Sequence, residues 1–182
     1  VIAFATTNTS AGAAGVAWVL FDVVRGKKPS AMGFCIGVVV GLVAITPAAG
    51  FVSISHAIAI GIIASLVSNY AVSKFPKGKI DDALDVFACH GVGGMTGMLL
   101  TGVFASTEIN SAVVDQGLIF GETTLFINQL IAMIVVSIFA FSAASLSLCK
   151  AIGSLRKSTP SAVLKSLASQ SIITWSKSSP PK

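Results

Sequence analysis

Long apolar runs alternate with short polar joins along the whole chain. Each run holds roughly 20 residues, enough to cross a hydrocarbon layer of about 30 Å at 1.5 Å per residue. Five runs are predicted as helices, at about 4–24, 31–48, 54–73, 84–104 and 123–149. The joins read Arg25-Gly26-Lys27-Lys28-Pro29-Ser30, Pro47-Ala48-Ala49-Gly50, Lys74-Phe75-Pro76-Lys77-Gly78-Lys79, and a longer stretch at about 105–122. Proline and glycine sit where helices should stop.

Charge turns these helices into a topology. All 12 Lys and Arg residues fall in the first join, in the third join, or after the last run. The second and fourth joins have none, and the fourth carries Glu108, Asp115 and Glu122. Basic residues are retained on the cytoplasmic side of a membrane, so the first and third joins and the C-terminus are predicted to be cytoplasmic. A soluble helical protein has no reason to sort its charge by alternate joins. The net charge of +5 is therefore read as orienting the chain in a membrane and not as binding nucleic acid.

Composition agrees with lipid as the solvent: 54% of residues are hydrophobic and 10% charged, with a mean hydropathy of +0.88. That leaves too little polar surface to cover a soluble globule. The expected fold class is an all-α integral membrane protein, a polytopic helical bundle in a lipid bilayer. Gly33, Gly37 and Gly41, and again Gly93 and Gly97, are spaced to let helix backbones approach closely. Single-pass dimer contacts would use the same spacing, but five runs with short joins favour packing within one chain. Residues 1–156 are assigned to a transmembrane domain and 157–182, rich in Ser and Lys and including Trp175, to a cytoplasmic tail. The start at Val1, without a basic signal-peptide region, is read as the continuation of a longer protein.

Few residues carry chemistry. His90 is placed about two turns into the fourth run, at roughly 10 to 12 Å depth. Ionisable groups at such depth mark substrate or proton pathways, although a histidine bonded to a neighbouring helix is the plainer alternative. Gly91, Gly93 and Gly94 leave room beside it. Asp85, with Asp81 and Asp82, falls at the cytoplasmic end of that helix, where carboxylates cap free N–H groups or hold a cation-attracting field. Both readings stand. Thr46-Pro47 ends the second run, either as simple helix termination or with freed carbonyls lining a vestibule. His56 is assigned to the outer edge of the third run without a role, and Asn8, Thr9 and Ser10 to bonds between helices. Cys35, Cys89 and Cys149 are too far apart for a metal site and are read as small core residues. No cofactor is expected. Nucleophile turns, phosphate loops and zinc motifs are not found in the sequence, which argues against an intramembrane enzyme.

Three stretches resemble the ammonium transporter family, which includes the yeast permeases and the Rhesus proteins. They are Gly26-Lys27-Lys28-Pro29-Ser30, Gly41-Leu42-Val43-Ala44-Ile45-Thr46-Pro47-Ala48-Ala49-Gly50 and Asp85-Val86-Phe87-Ala88-Cys89-His90-Gly91-Val92-Gly93-Gly94. The resemblance covers about residues 1–156 and implies an eleven-helix protomer of which this chain supplies helices seven to eleven. It further implies a homotrimer in the plasma membrane, with one narrow apolar pore per protomer and ammonium or ammonia as permeant. His90 matches the second of two mid-pore histidines, Val86 an apolar pore-lining position, and Asp85 and Asp82 the acidic positions beside it. Ammonium that sheds its hydration in such a pore is expected to deprotonate at the mouth, and paired imidazoles offer ammonia a partner and its proton a relay. A Rhesus-type gas or methylammonium channel and a non-conducting membrane fragment are the alternative functions. The family's tail carries an acidic stretch that docks beneath the pore and binds regulatory proteins. Here the chain after Arg156 has no acidic residue, which leaves that regulation unsupported.

Overall fold

The computed structural model describes residues 1–74 and 85–158, with side chains to residue 150. Among them every regular element is helical: α1 Ile2–Val24, α2 Ala31–Ile45, α3 Ile54–Lys74, a π-helical turn at Phe87–Val92, α4 Gly93–Phe104, a 3-10 turn at Leu118–Phe120, and α5 Thr124–Ser158. Residues 75–84 and 159–182 lie outside this description, so Asp82, the third join beyond Lys74 and most of the tail assignment do too. The chain divides into two compact units, Val1–Ile134 and Val135–Lys182. Within the first, α1 packs against α2 and α3, and α4 packs against α2 and α3. The described part of the second is the remainder of α5, whose Phe139 and Phe141 are exposed.

Small residues set the packing. A Cβ on Gly37 would lie 2.6 Å from Trp18 Cβ, and one on Gly41 would lie 2.6 Å from Ala14 Cβ and 2.7 Å from the Ser10 carbonyl oxygen. A Cβ on Gly61 would collide with the Ser10 carbonyl from the other side. The backbones of α2 and α3 thus rest directly on α1, the arrangement that favours association where burial from water gives no drive. Hydroxyls join them: Ser10 donates to the Gly41 carbonyl at 3.2 Å, and Ser65 to the Ala14 carbonyl at 2.8 Å. Trp18, Val40, Ile45 and Ile60 fill the space between.

Caps decide where the helices begin and end. Ser30 Oγ accepts from Gly33 N at 3.0 Å and starts α2 directly after Pro29. α2 stops at Ile45, three residues short of the predicted boundary, because the Ala48 and Ala49 amides both turn back to the Ile45 carbonyl. Gly50, at φ +85°, completes that reversal. Three helices are long and apolar enough to cross a membrane by these criteria alone, Ile54–Lys74, Phe87–Phe104 and Thr124–Lys150. α2 has 15 residues. α1 has the length, but Thr6 to Ser10 and Asp22 lower its hydropathy. Of the cysteines, Cys89 is buried, whereas Cys35 and Cys149 are exposed. The expectation that all three are core residues is corrected: apolar helices also present cysteine on outward faces.

The C-terminal ends of α1 and α3 are tied by a polar cluster that hydropathy does not reveal. Asn69 Nδ2 donates to Asp22 Oδ1 at 3.1 Å, Arg25 Nη1 donates to Asn69 Oδ1 at 3.4 Å, and Lys27 Nζ lies 3.7 Å from Asp22 Oδ1. Asn69 is 2% exposed and Asp22 9%, so neither has bulk water to replace a lost partner. Asn69→Ala is expected to lower stability by about 1–3 kcal/mol, measured as a drop in the thermal unfolding midpoint in detergent. An unchanged midpoint would show that the cluster contributes nothing.

Candidate functional site

His90 is carried by the wide turn. Phe87–Val92 winds as π helix before α4 continues from Gly93, and short π segments inside α-helices concentrate at functional positions. The helix starts at Val86, later than the predicted 84, because Asp85 adopts φ +51°. Asp85 is the non-glycine residue with left-handed backbone among those described, a conformation that aspartate tolerates better than most residues do. Its carbonyl accepts from Cys89 N at 2.9 Å. His90 therefore lies about one turn from its helix start, not two.

Depth is better judged against α2. A Cβ on Gly93 would lie 3.6 Å from Val40 Cγ1, and one on Gly97 would collide with the backbone carbonyl of Ala44. The two helices therefore run parallel in register, and His90 is level with Gly37, about 9 Å above the first residue of α2 at 1.5 Å per residue. Thr46, on the same scale, stands about 13 Å beyond His90. The structure does not bring these two candidates together. Thr46 is exposed, and its hydroxyl donates to the Leu42 carbonyl at 2.8 Å.

Val86, four positions before His90, is 49% exposed, Phe87 is 54% exposed, and His90 is exposed as well. Ala88 and Cys89 point the other way and are buried. A Cβ on Gly91 would lie 3.0 Å from the Phe87 ring, so the ring lies against the bare Gly91 backbone. The uncovered face of this span thus presents one imidazole among apolar groups, and among the described residues that imidazole makes no hydrogen bond or ring contact. Such a group can give or accept a hydrogen bond from a small polar species moving along an apolar surface.

His56 is held differently. Its ring stacks on Phe104 at 4.9 Å and meets Phe120 edge-on at 6.4 Å, and its Nδ1 is buried without a partner. It joins the start of α3 to the end of α4, a packing role that sequence reading did not assign. Sequence reading also passed over Asp22 and Asn69; an acidic residue three positions before Arg25, inside an apolar run, was the available signal. Among the described residues no group of three or more His, Cys, Asp or Glu side chains gathers to hold a metal ion.

Comparisons with known proteins bear on this geometry. The model of the Ammonium Transporter Family matches residues 1–162. The ammonium transporter Amt1 of Archaeoglobus fulgidus is 42% identical over 139 residues, which are 76% of this chain and 34% of that protein. The ammonium transporter of Bacillus subtilis is 44% identical over 140 residues, again 76% of this chain and 34% of the relative. The crystal structure of Candida albicans Mep2 superposes with a TM-score of 0.77 at 35% identity, covering 82% of this chain and 34% of that one. The chain spans about a third of the length of these relatives.

Proposed function

Because the chain belongs to the Ammonium Transporter Family, we propose that it forms part of a pathway for ammonium or ammonia across a membrane. It is an integral membrane protein, with long apolar helices and solved membrane transporters as structural neighbours. The observation that carries the proposal is the lone imidazole of His90 on an otherwise apolar, uncovered face at the depth of Gly37. An ammonium ion entering such a passage loses hydration that the apolar walls do not replace, which favours crossing as ammonia. His90 then offers a polar station in the apolar stretch, and with a second histidine it forms a relay for the proton left behind.

In this reading the pore is narrow and Val86 lines it below the histidine. Asp85 and Asp82 hold a negative field at the cytoplasmic mouth, and Thr46 belongs to the outer vestibule. The basic joins and the C-terminus face the cytoplasm, the membrane is the plasma membrane, and the working unit is a homotrimer. Residues 1–156 supply the membrane domain and 157–182 a cytoplasmic tail.

Uptake of labelled methylammonium in cells lacking their own ammonium carriers tests the proposal, using the gene product that contains this chain. Concentration-dependent uptake that ammonium competes away is the expected result. Val86→Glu, a fixed carboxylate on the pore face one turn from His90, is expected to reduce that uptake about tenfold by retaining the cation, a difference of about 1.4 kcal/mol. No uptake above background in the unsubstituted protein overturns the reading.

A further inference from the structure

We propose that the π turn at Phe87–Val92 is a two-register switch and that Ser68 is the residue that stabilises its second register. The inference begins with a hydroxyl that has nothing to bond. Ser68 is fully buried, and its Oγ has no hydrogen-bond partner, although neighbours on the same helix reach theirs: Ser65 donates to the Ala14 carbonyl and Asn69 to Asp22. A buried hydroxyl without a partner is unfavourable and calls for an explanation.

Its position supplies one. A Cβ on Gly93 would lie 3.3 Å from Ser68 Oγ, so the hydroxyl lies against bare backbone at the boundary where the π turn passes into α4. The far side of that boundary is held, because Gly97 rests on the Ala44 backbone where even a Cβ would collide, and sliding α4 by one residue would bring the side chain of Thr96 or Met98 to that point. The near side has a hinge, Asp85, at φ +51°. A π turn holds one residue more than the α winding it interrupts. Rewinding it against a fixed α4 turns the preceding segment by about 100°, the angle of one residue. His90 leaves the uncovered face, and a carbonyl of the preceding turn comes round to accept from Ser68.

The orphaned hydroxyl is thus the mark of the register that is shown, and its partner belongs to the other. The consequence for permeation, an imidazole moved into or out of line, rests on the pore reading above; the switch itself does not.

Amide hydrogen exchange of the full chain in lipid nanodiscs separates the two. Ser68→Ala removes the unfavourable group from the π register and the partner from the α register. It is expected to raise the thermal unfolding midpoint and to slow exchange at Cys89–Gly93 about three- to tenfold, with α1 and α2 unchanged. Ser68→Cys, a weak donor of similar size, should fall between. A lowered midpoint in Ser68→Ala, or exchange at Cys89–Gly93 equal to that of the unsubstituted chain, overturns the switch. Because exchange is read without transport, failure of either proposal leaves the other standing.

Discussion

His90→Ala is expected to cut methylammonium uptake about tenfold while leaving the fold in place. The imidazole is exposed and makes no hydrogen bond or ring contact among the described residues, so its removal should change stability by no more than about 0.5 kcal/mol. Transport has more to lose. In the proposed pathway a permeant stripped of water has His90 as its polar partner on this face, and losing a hydrogen bond worth about 1.4 kcal/mol there would slow passage tenfold. Uptake kinetics together with the thermal midpoint of the purified variant make the test specific. Reduced uptake at an unchanged midpoint supports a residue in the path, whereas equal uptake would remove His90 from it.

Gly97→Leu is expected to have the largest effect on stability. Even the first carbon of a side chain at this position would collide with the Ala44 carbonyl oxygen and would lie 2.7 Å from Ala44 Cα. Backbone on a packed helix cannot rotate aside as a flexible side chain would. α4 must instead separate from α2, at a cost of about 3 kcal/mol or more. Gly12→Ala is the matched control, since a Cβ there meets nothing within 4 Å, and it should stabilise α1 by up to about 1 kcal/mol. Chemical unfolding in mixed micelles reads both. Equal midpoints for the two variants would mean that the α2–α4 contact is loose and that the register used above to place His90 does not hold.

Much of this architecture is legible in the chain because its causes are local or periodic. Ser30 after Pro29 announces a capped start, and the Gly33–Gly37–Gly41 stripe announces a close helix contact, which proves to be with α1. The early end of α2 depended on two amides sharing the Ile45 carbonyl, which a count of apolar residues does not register. The wide turn at Phe87–Val92 was equally hidden. Apolar periodicity distinguishes helix from strand, but a single added residue only displaces the phase, and its first sign is the φ of Asp85. The Asp22–Asn69 pair was missed because its members stand 47 positions apart. Among the candidate residues, His90 and Val86 share a face of one helix, as a spacing of four suggests. Thr46 stands apart from them because helix register, unlike motif membership, is a property of three dimensions.

The polar interior of α1 bears on how the protein is made. This helix is long enough to span but is not among those that are also apolar enough to do so, and it gains its place through Ser10 bonded to Gly41, the Ala14 carbonyl held by Ser65, and Asp22 held by Asn69. Two of those three partners are on α3, more than 40 residues downstream. A segment leaving the ribosome before its partners exist has nothing with which to satisfy those groups in lipid. α1 should therefore linger at the insertion machinery until α3 emerges, and the three helices should enter the bilayer as one bundle.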